Sequence, residues 1–547
     1  MIEIFNRLKS KPNLFAQILI ASLFVNLFAL ATPIYVIQVL QRYVAYGVTS
    51  TLITLIAGII LISIFEFFFR NIRHRMTREL EEENITLADK VMQKLTILKT
   101  SLYSLRSQFN SEAISGHVIT IQNTITATTT LILIDVPFVS IFLIALFLIH
   151  YQLGIIATLI IFIPFIISRL YSASINKESF DWYLSSMNIS KLYDNATSRY
   201  VTIRYFNLID ALKKTWSRSI NNTIDVKDKL EADKNLLTSL MSSTSTFMTI
   251  VIIGWGAVLA VNGDISVGAL IGANILASRA IAPIIRYVQT IEPLSKSDKS
   301  LQELNSLIAL PHELQSGTEI KDFEGRISLN NLQFRYPTSK NPIFEKLTIS
   351  ILPSQLTIIK GANGAGKSTL INVLTGIMDY EKGQLFFDDI EISQLSLPWL
   401  RKNLTYLPQE PKFIDGTLLD NMIGAREISK NDFQKVIHHI GLEDLINSDP
   451  NGVNLVLSNK GENLPVGIRK RIALGRALFI GGKLVIMDEP TEGLDEAGRN
   501  SVYQVINELV EDNKTVIVAT QDEELMRNAK NIIDLDKKPV PEIQSIN

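Results

Sequence analysis

LTIIKGANGAGKSTL, residues 356–370, decides the reading of this chain. A β-prone apolar run leads into a glycine-rich loop, and a helix-prone stretch follows it. Gly361, Gly366, Lys367 and Ser368 satisfy the spacing G-x-x-x-x-G-K-[ST]. Ala362, Asn363, Gly364 and Ala365 lie between them, and Thr369 follows. Glycines let successive backbone N–H groups wrap phosphate oxygens, Lys367 adds positive charge, and Ser368 offers a hydroxyl to Mg2+. A helix opening at this point adds the positive end of its dipole. Residues 361–369 are therefore the expected nucleotide-binding loop.

Further along, LVIMDEP at 484–490 reads as an apolar strand ending in Asp488 and Glu489. Alone, a strand closed by two acids says little. Downstream of a phosphate loop, Asp488 is placed to hold the Mg2+ shell and Glu489 to polarise an attacking water. Short strand-like runs alternate with helical patterns from residue 325 to 547, as in an α/β domain. The stretch 309–324, with Pro311 and Gly317, reads as a linker.

Upstream the polarity is different. Six apolar runs, near 14–34, 52–69, 131–149, 153–170, 240–261 and 267–285, have the length of helices that cross about 30 Å of hydrocarbon. The first is too long for the apolar region of a signal peptide, and no small-residue cleavage site follows it. Short connections alternate with long ones at 70–130 and 171–239. The long ones carry most of the Lys and Arg between the spans, which puts them and the N-terminus in the cytoplasm by the positive-inside rule. They are poor in Gly and Pro, so the spans are expected to continue as long helical hairpins. Residues 1–308 form the expected membrane domain.

Composition agrees with a chain of two unlike halves. Of 547 residues, 53 are Lys or Arg and 54 are Asp or Glu, a net charge of −1. That balance argues against a nucleic-acid partner and an acidic disordered tail. The absence of cysteine excludes disulfides and thiol chemistry. A mean hydropathy of +0.21 is the average of apolar spans and a polar remainder.

Three charges in or beside the spans invite specific readings. Glu66 and Arg70 are spaced for an i,i+4 pair. Asp135, just before Pro137, reads as the N-cap opening the third span. Arg279 lies near the middle of the sixth. An arginine there is costly and faces a partner or a wet cavity, so it is a candidate pathway residue or one half of a structural pair.

With these motifs in this order, the chain resembles an ATP-binding cassette (ABC) half-exporter. The implied fold is an α-helical six-span exporter domain fused to an α/β P-loop nucleotide-binding domain. The resemblance implies ATP and Mg2+ as cofactors. It further implies that Tyr336, in FRYP, stacks on adenine, and that Gln409, in YLPQE, reaches Mg2+ and couples to the membrane domain. Asp495, in EGLD, matches the D-loop. The stretches at 21–40, IDVPF at 134–138 and 268–284 resemble the type I secretion permease/ATPases. That branch implies a bacterial inner-membrane dimer, a periplasmic adaptor, an outer-membrane channel and an unfolded polypeptide substrate. Many members carry an N-terminal peptidase-like domain. With about 13 residues before the first span, none is expected here.

Two motifs depart from the resemblance. Where the family has LSGGQ, which caps the partner's ATP, this chain has Leu464, Pro465, Val466, Gly467 and Ile468. Pro465 lacks the hydroxyl and the N–H, and Val466 adds bulk. Losing two hydrogen bonds to charged oxygens would weaken a closed dimer by about 3–6 kcal/mol. At the position of the family's switch histidine stands Gln521, which can donate a hydrogen bond but cannot become cationic. If the histidine acts as acid or base, the change costs about 10²–10⁴-fold in rate.

The resulting expectation is ATP-driven polypeptide export with slow hydrolysis, by a homodimer. The alternatives are a heterodimer with a second half-transporter, a lipid or small-molecule exporter, and an ATP-binding regulatory subunit.

Overall fold

The computed structural model describes residues 2–99, 111–337, 339–424, 426–458, 461 and 463–546. It divides into two compact units: Met1–Thr96 with Ser107–Leu310, and Ile97–Arg106 with Pro311–Asn547.

The first unit is helical. Among the described residues, six helical stretches are long and apolar enough to cross a membrane: Pro12–Val44, Thr49–Thr96, Ala127–Ile149, Tyr151–Tyr171, Ile209–Val261 and Val267–Ile308. Each apolar run read from the sequence falls inside one of them. Local chemistry sets their ends. Thr126 caps the third span by accepting from the Thr129 N–H, and Ser266 caps the sixth by accepting from Ala269. His150, with φ −160°, is the single extended residue between the third and fourth helices. Gly263, at φ +83°, supplies the left-handed turn between the fifth and sixth.

Several helices extend well past a bilayer. Tyr151–Ser198 has 48 residues, Ile209–Val261 has 53 and Val267–Ile308 has 42. The second long connection is therefore helical, as expected. The first carries the helices Glu82–Thr96 and Ser111–Thr124, and its middle, at 100–110, lies outside the described residues. The core of the unit is a close-packed seam of Leu146, Leu153, Ala157, Met248, Ile252, Ala273, Ala277 and Ala280. Small residues at the seam let backbones approach where lipid supplies no hydrophobic drive. Gly272 is the extreme case, because a Cβ there would sit 2.3 Å from Ile37 Cγ1. Outward apolar residues such as Leu148 and Val261 are exposed, as suits a lipid-facing surface.

Asp135 corrects one expectation. It does not open the third span, which begins at Ala127, and its side chain caps no helix. Instead its carboxylate accepts from Arg73 Nη1 at 2.6 Å and from Asn26 Nδ2 at 3.4 Å. The Arg73 partner lies far off in the chain, so the cap was the only role visible locally. Glu66 and Arg70 do form their i,i+4 ion pair. Arg7 is buried, donating to the Leu80 carbonyl at 3.2 Å and to Asn84 Oδ1 at 2.8 Å.

Among the described residues the second unit carries two larger sheets and a small one that pairs β7 (Gly416–Thr417) with β8 (Val456–Leu457). Strands β1 (Ile327–Phe334), β2 (Phe344–Ile351), β4 (Lys382–Phe387) and β5 (Ile390–Glu391) form an antiparallel sheet in the order β2-β1-β4-β5. The other sheet runs β12-β11-β3-β10-β9-β6, from β3 (Leu356–Lys360), β6 (Leu404–Leu407), β9 (Leu484–Asp488), β10 (Thr515–Ala519), β11 (Asn531–Asp534) and β12 (Glu542–Ser545). Its pairs are parallel except β11 with β12. β9 and β10 are buried along their whole length, which is why they read as unbroken apolar runs.

Residues 311–324 pack on this unit. The Thr318 N–H donates to the Gln394 carbonyl at 2.8 Å, and Glu313 pairs with Arg401 at 2.8 Å. The Glu313 N–H donates to the Ile97 carbonyl at 2.8 Å, and Lys99 pairs with Asp379 at 3.0 Å.

Candidate nucleotide-binding site

Ligands of parallel sheets gather beyond the carboxyl ends of the strands. Here β10 lies between β3 and β9, with Ala519 level with both Ile359 and Asp488. The phosphate loop leaves β3, Asp488 and Glu489 end β9, and Gln521 follows β10. Adjacency of three strands thus brings together three segments far apart in sequence.

Gly366, at φ +113°, is the N-cap of the helix Lys367–Leu374, and a Cβ there would fall 2.4 Å from Ile343 Cγ2. The loop is anchored where the Ala362 N–H donates to Asp536 Oδ1 at 2.7 Å. Lys367 is buried. Its Nζ donates to the Gly361 carbonyl at 2.7 Å and pairs with Glu489 Oε1 at 3.1 Å. Gln521 Nε2 donates to the same carbonyl at 3.0 Å.

Burial pushes the Asp488 carboxyl up, against a hydrogen bond from Ser368 that pulls it down. Its Oδ1 is buried with no hydrogen-bond partner. A buried, unpartnered carboxylate oxygen beside a serine hydroxyl is the donor set that suits a hard divalent cation, so these residues fit Mg2+. Glu489 sits at φ +46°, a left-handed conformation uncommon for a non-glycine residue, and its N–H donates to the Ala519 carbonyl at 2.9 Å.

The other expected residues lie nearby in different settings. Gln409 Nε2 donates to Glu492 Oε2 at 3.0 Å. Tyr336 shares a 2.8 Å hydrogen bond with Thr369 Oγ1 and stands edge-on to Phe334 with ring centroids 5.0 Å apart. Asp495 caps the helix Glu496–Glu511 through the Gly498 N–H at 2.9 Å and faces Arg471 at 3.4 Å. Pro465 is the N-cap of the helix Val466–Ile480 and gives it no side-chain bond. Val466 is 50% exposed, so its isopropyl group stands on the surface. A Cβ on Gly467 would meet only Leu494 Cδ2, at 3.9 Å, so this chain's own packing does not require glycine there. Leu464 and Ile468 pack against the core of buried residues around Ile472.

Sequence reasoning missed Lys470. This residue is buried, and its Nζ donates to the carbonyls of Glu489 at 3.0 Å and Glu492 at 2.5 Å. Burial lowers its pKa, while Glu492, Glu489 and Asp488 act in the opposite direction. The only signal in the sequence was a cation on what becomes the inner face of a helix. Arg279, in the first unit, donates to Thr32 Oγ1 at 3.3 Å.

A phosphate loop, a paired-acid strand end and a parallel sheet, in a chain with six membrane-length helices, define a multi-pass membrane protein with an ATPase domain. Residues 344–492 match the ABC transporter family, which implies ATP binding. The ABC transporter match and the similarity to export ATP-binding proteins imply ATP hydrolysis coupled to transport. It is 24% identical over 523 residues to the alpha-hemolysin translocation ATP-binding protein HlyB of Escherichia coli O157:H7, covering 95% of this chain and 74% of that protein. It is 24% identical over 537 residues to the leukotoxin export ATP-binding protein LtxB of Aggregatibacter actinomycetemcomitans, covering 97% and 75%. Its fold matches the structure of a bacterial Atm1-family ABC exporter with ATP bound, with a TM-score of 0.83, 18% identity, and coverage of 98% of this chain and 95% of that one.

Proposed function

We propose that this protein exports an unfolded polypeptide across the bacterial inner membrane as part of a type I secretion system. The observation that carries this reading is similarity along almost the whole chain to proteins named for haemolysin translocation and leukotoxin export. In this reading residues 1–308 are the membrane domain, 309–324 the linker and 325–547 the nucleotide-binding domain. The N-terminus and the nucleotide-binding domain are cytoplasmic. The working unit is a homodimer, joined by a periplasmic membrane-fusion adaptor and an outer-membrane channel.

The residues divide the chemistry as follows. Backbone N–H groups of 361–366, with Lys367 and Thr369, bind the ATP phosphates, and Tyr336 lies against adenine. Ser368, Asp488 and Gln409 hold Mg2+, which neutralises phosphate charge when bound. Glu489 orients and polarises the attacking water. Its ion pair with Lys367 must loosen for that role, because an engaged carboxylate is a poor proton acceptor. Gln521 positions the terminal phosphate by donating a hydrogen bond. The segment 464–468 with Asp495 faces the partner's ATP. Pro465 lacks the hydroxyl and N–H of the family's serine, and Val466 adds bulk where the family has glycine, so closure is weak and hydrolysis slow. ATP drives the change between access states only through its preference for the closed one.

The test is ATP turnover of the purified protein, followed by secretion in cells that also carry an adaptor and channel. Slow turnover that is abolished by Glu489→Gln and raised by Pro465→Ser with Gln521→His supports the reading. Family-typical turnover by the unmodified protein removes the slow-hydrolysis part. Lipid-stimulated turnover with no adaptor captured removes the polypeptide part. The exposed Val466 favours one further reading, a heterodimer whose second chain supplies a standard signature.

A further inference from the structure

The first unit holds a cavity of about 490 Å³ among its first, second, third and sixth spans. Arg70, Arg73, Arg279 and Arg286 line it, against a single lining carboxylate, Asp135. Two of the four are already neutralised: Arg73 by Asp135, and Arg70 by Glu66. Among the described residues neither Arg279 nor Arg286 has a carboxylate partner. Arg279 donates to the Thr32 hydroxyl alone, at 3.3 Å. Two further polar atoms at this cavity are buried and unbonded, Arg73 Nε and Asn274 Oδ1.

Guanidinium groups stay charged at any physiological pH, so this excess cannot be relieved by losing a proton. Unbalanced charge within a membrane span is costly and marks a pathway or a ligand. We propose that the cavity is an anion-binding station on the export path, and that the anion is the carboxylate of an acidic side chain on the passing polypeptide.

The layout favours a chain over a lipid headgroup. Arg286 lies just past the apolar run 267–285, and Arg279 is two turns deeper on the same helix. Seven residues of helix rise about 10 Å, so the two cations differ in depth by roughly that much. Lipid phosphates occupy a single level at each face of the bilayer. An extended chain advances about 3.3 Å per residue with its side chains alternating in face, so acidic side chains two or four residues apart, about 7 and 13 Å, share a face and bracket the spacing of the two arginines. Each guanidinium can take a carboxylate with two parallel hydrogen bonds. The choice of a polypeptide source rests on the export reading above, whereas the anion site rests on the cavity itself.

The experiment uses the full chain in phosphatidylcholine nanodiscs and two fluorescent probes. One is a short peptide alternating aspartate and serine, and the other its asparagine isostere. The aspartate peptide is expected to bind about tenfold tighter, as charge-assisted hydrogen bonds are. Arg279→Gln and Arg286→Gln each remove most of that difference. Arg279→Lys, which keeps the charge, retains most of it and guards against loss through misfolding. ATP binding is unchanged in all three. Equal affinity for the two peptides, or a preference that survives both glutamine variants, overturns the proposal. Displacement of the peptide by phosphatidylglycerol doped into the nanodiscs overturns the polypeptide source in favour of a headgroup. Secretion is scored separately. Peptide preference without secretion counts against the export reading alone, and secretion without peptide preference counts against this site alone.

Discussion

Lys367 and Gln521 donate to one acceptor, the carbonyl oxygen of Gly361, at 2.7 and 3.0 Å. Gln521, two residues past the end of β10, therefore holds the first glycine of the phosphate loop, and the loop lysine holds the same carbonyl. Gln521→Ala leaves that carbonyl with Lys367 alone. A hydrogen bond of this type is worth about 1 kcal/mol, so ATP affinity should fall about fivefold. Gln521→Asn, one methylene shorter, should behave like alanine, and Gln521→His should keep a donor. Titration with a fluorescent ATP analogue measures this, and unchanged affinity in Gln521→Ala would show the contact to be idle.

Lys470 ties the helix Val466–Ile480 to the turn that carries Glu489, through the carbonyls of Glu489 and Glu492. Glu489 holds a left-handed backbone conformation, which persists only where surroundings enforce it. Lys470→Met keeps the stem and removes both bonds. ATP turnover should drop by about tenfold while ATP binding changes little, since hydrogen bonds from charged groups are worth about 1.5–3 kcal/mol. Turnover equal to the unmodified protein would mean that the turn holds Glu489 unaided.

Arg73 and Asp135 form an ion pair whose side chains are 8% and 22% exposed. Breaking a buried pair on one side leaves an uncompensated charge, at a cost of about 3–5 kcal/mol. Asp135→Ala should lower the unfolding temperature in detergent markedly. Arg73→Met with Asp135→Leu should be much milder, because neither charge is then stranded. If the double change is as harmful as the single one, the pair is not the cause.

His117 lies between the Tyr183 hydroxyl, 3.2 Å from Nε2, and Ser300 Oγ, 3.1 Å from Nδ1. Burial lowers its pKa, with Glu303 pushing it up and Lys296 down. The folded protein thus binds this proton less readily than the unfolded chain, whose histidine titrates near about 6.5. Its stabilising contribution is complete above that value and declines as pH falls towards the lowered folded pKa. Thermal unfolding followed from about pH 8 to about pH 5 should show this loss, and His117→Gln should flatten the profile below about pH 6.5.

Whatever rests on neighbours in the chain was legible in the sequence. The six apolar runs, the loop around Gly366, the acids ending β9 and the Glu66–Arg70 pair are all local patterns, and each stands where those patterns put it. Asp135 was misread because a local cap competed with Arg73, a partner from another span. Lys470, Arg7 and the Tyr336–Thr369 bond were invisible for the same reason. Each depends on which face of an element turns inward, and no short-range pattern reports that for a single polar residue. Arg279 was legible as an anomaly, but the cavity it shares with Arg286 required four spans to come together.

The 53-residue helix Ile209–Val261 also has a mechanical consequence. At 1.5 Å per residue it is a rod about 80 Å long, of which about 30 Å fits the hydrocarbon. Pivoting at the membrane surface, it is a lever whose outer arm, about 50 Å, exceeds its inner one. A push at the far tip arrives inside the bilayer as a shorter stroke with greater thrust. That gearing suits a machine whose load resists strongly over a small distance.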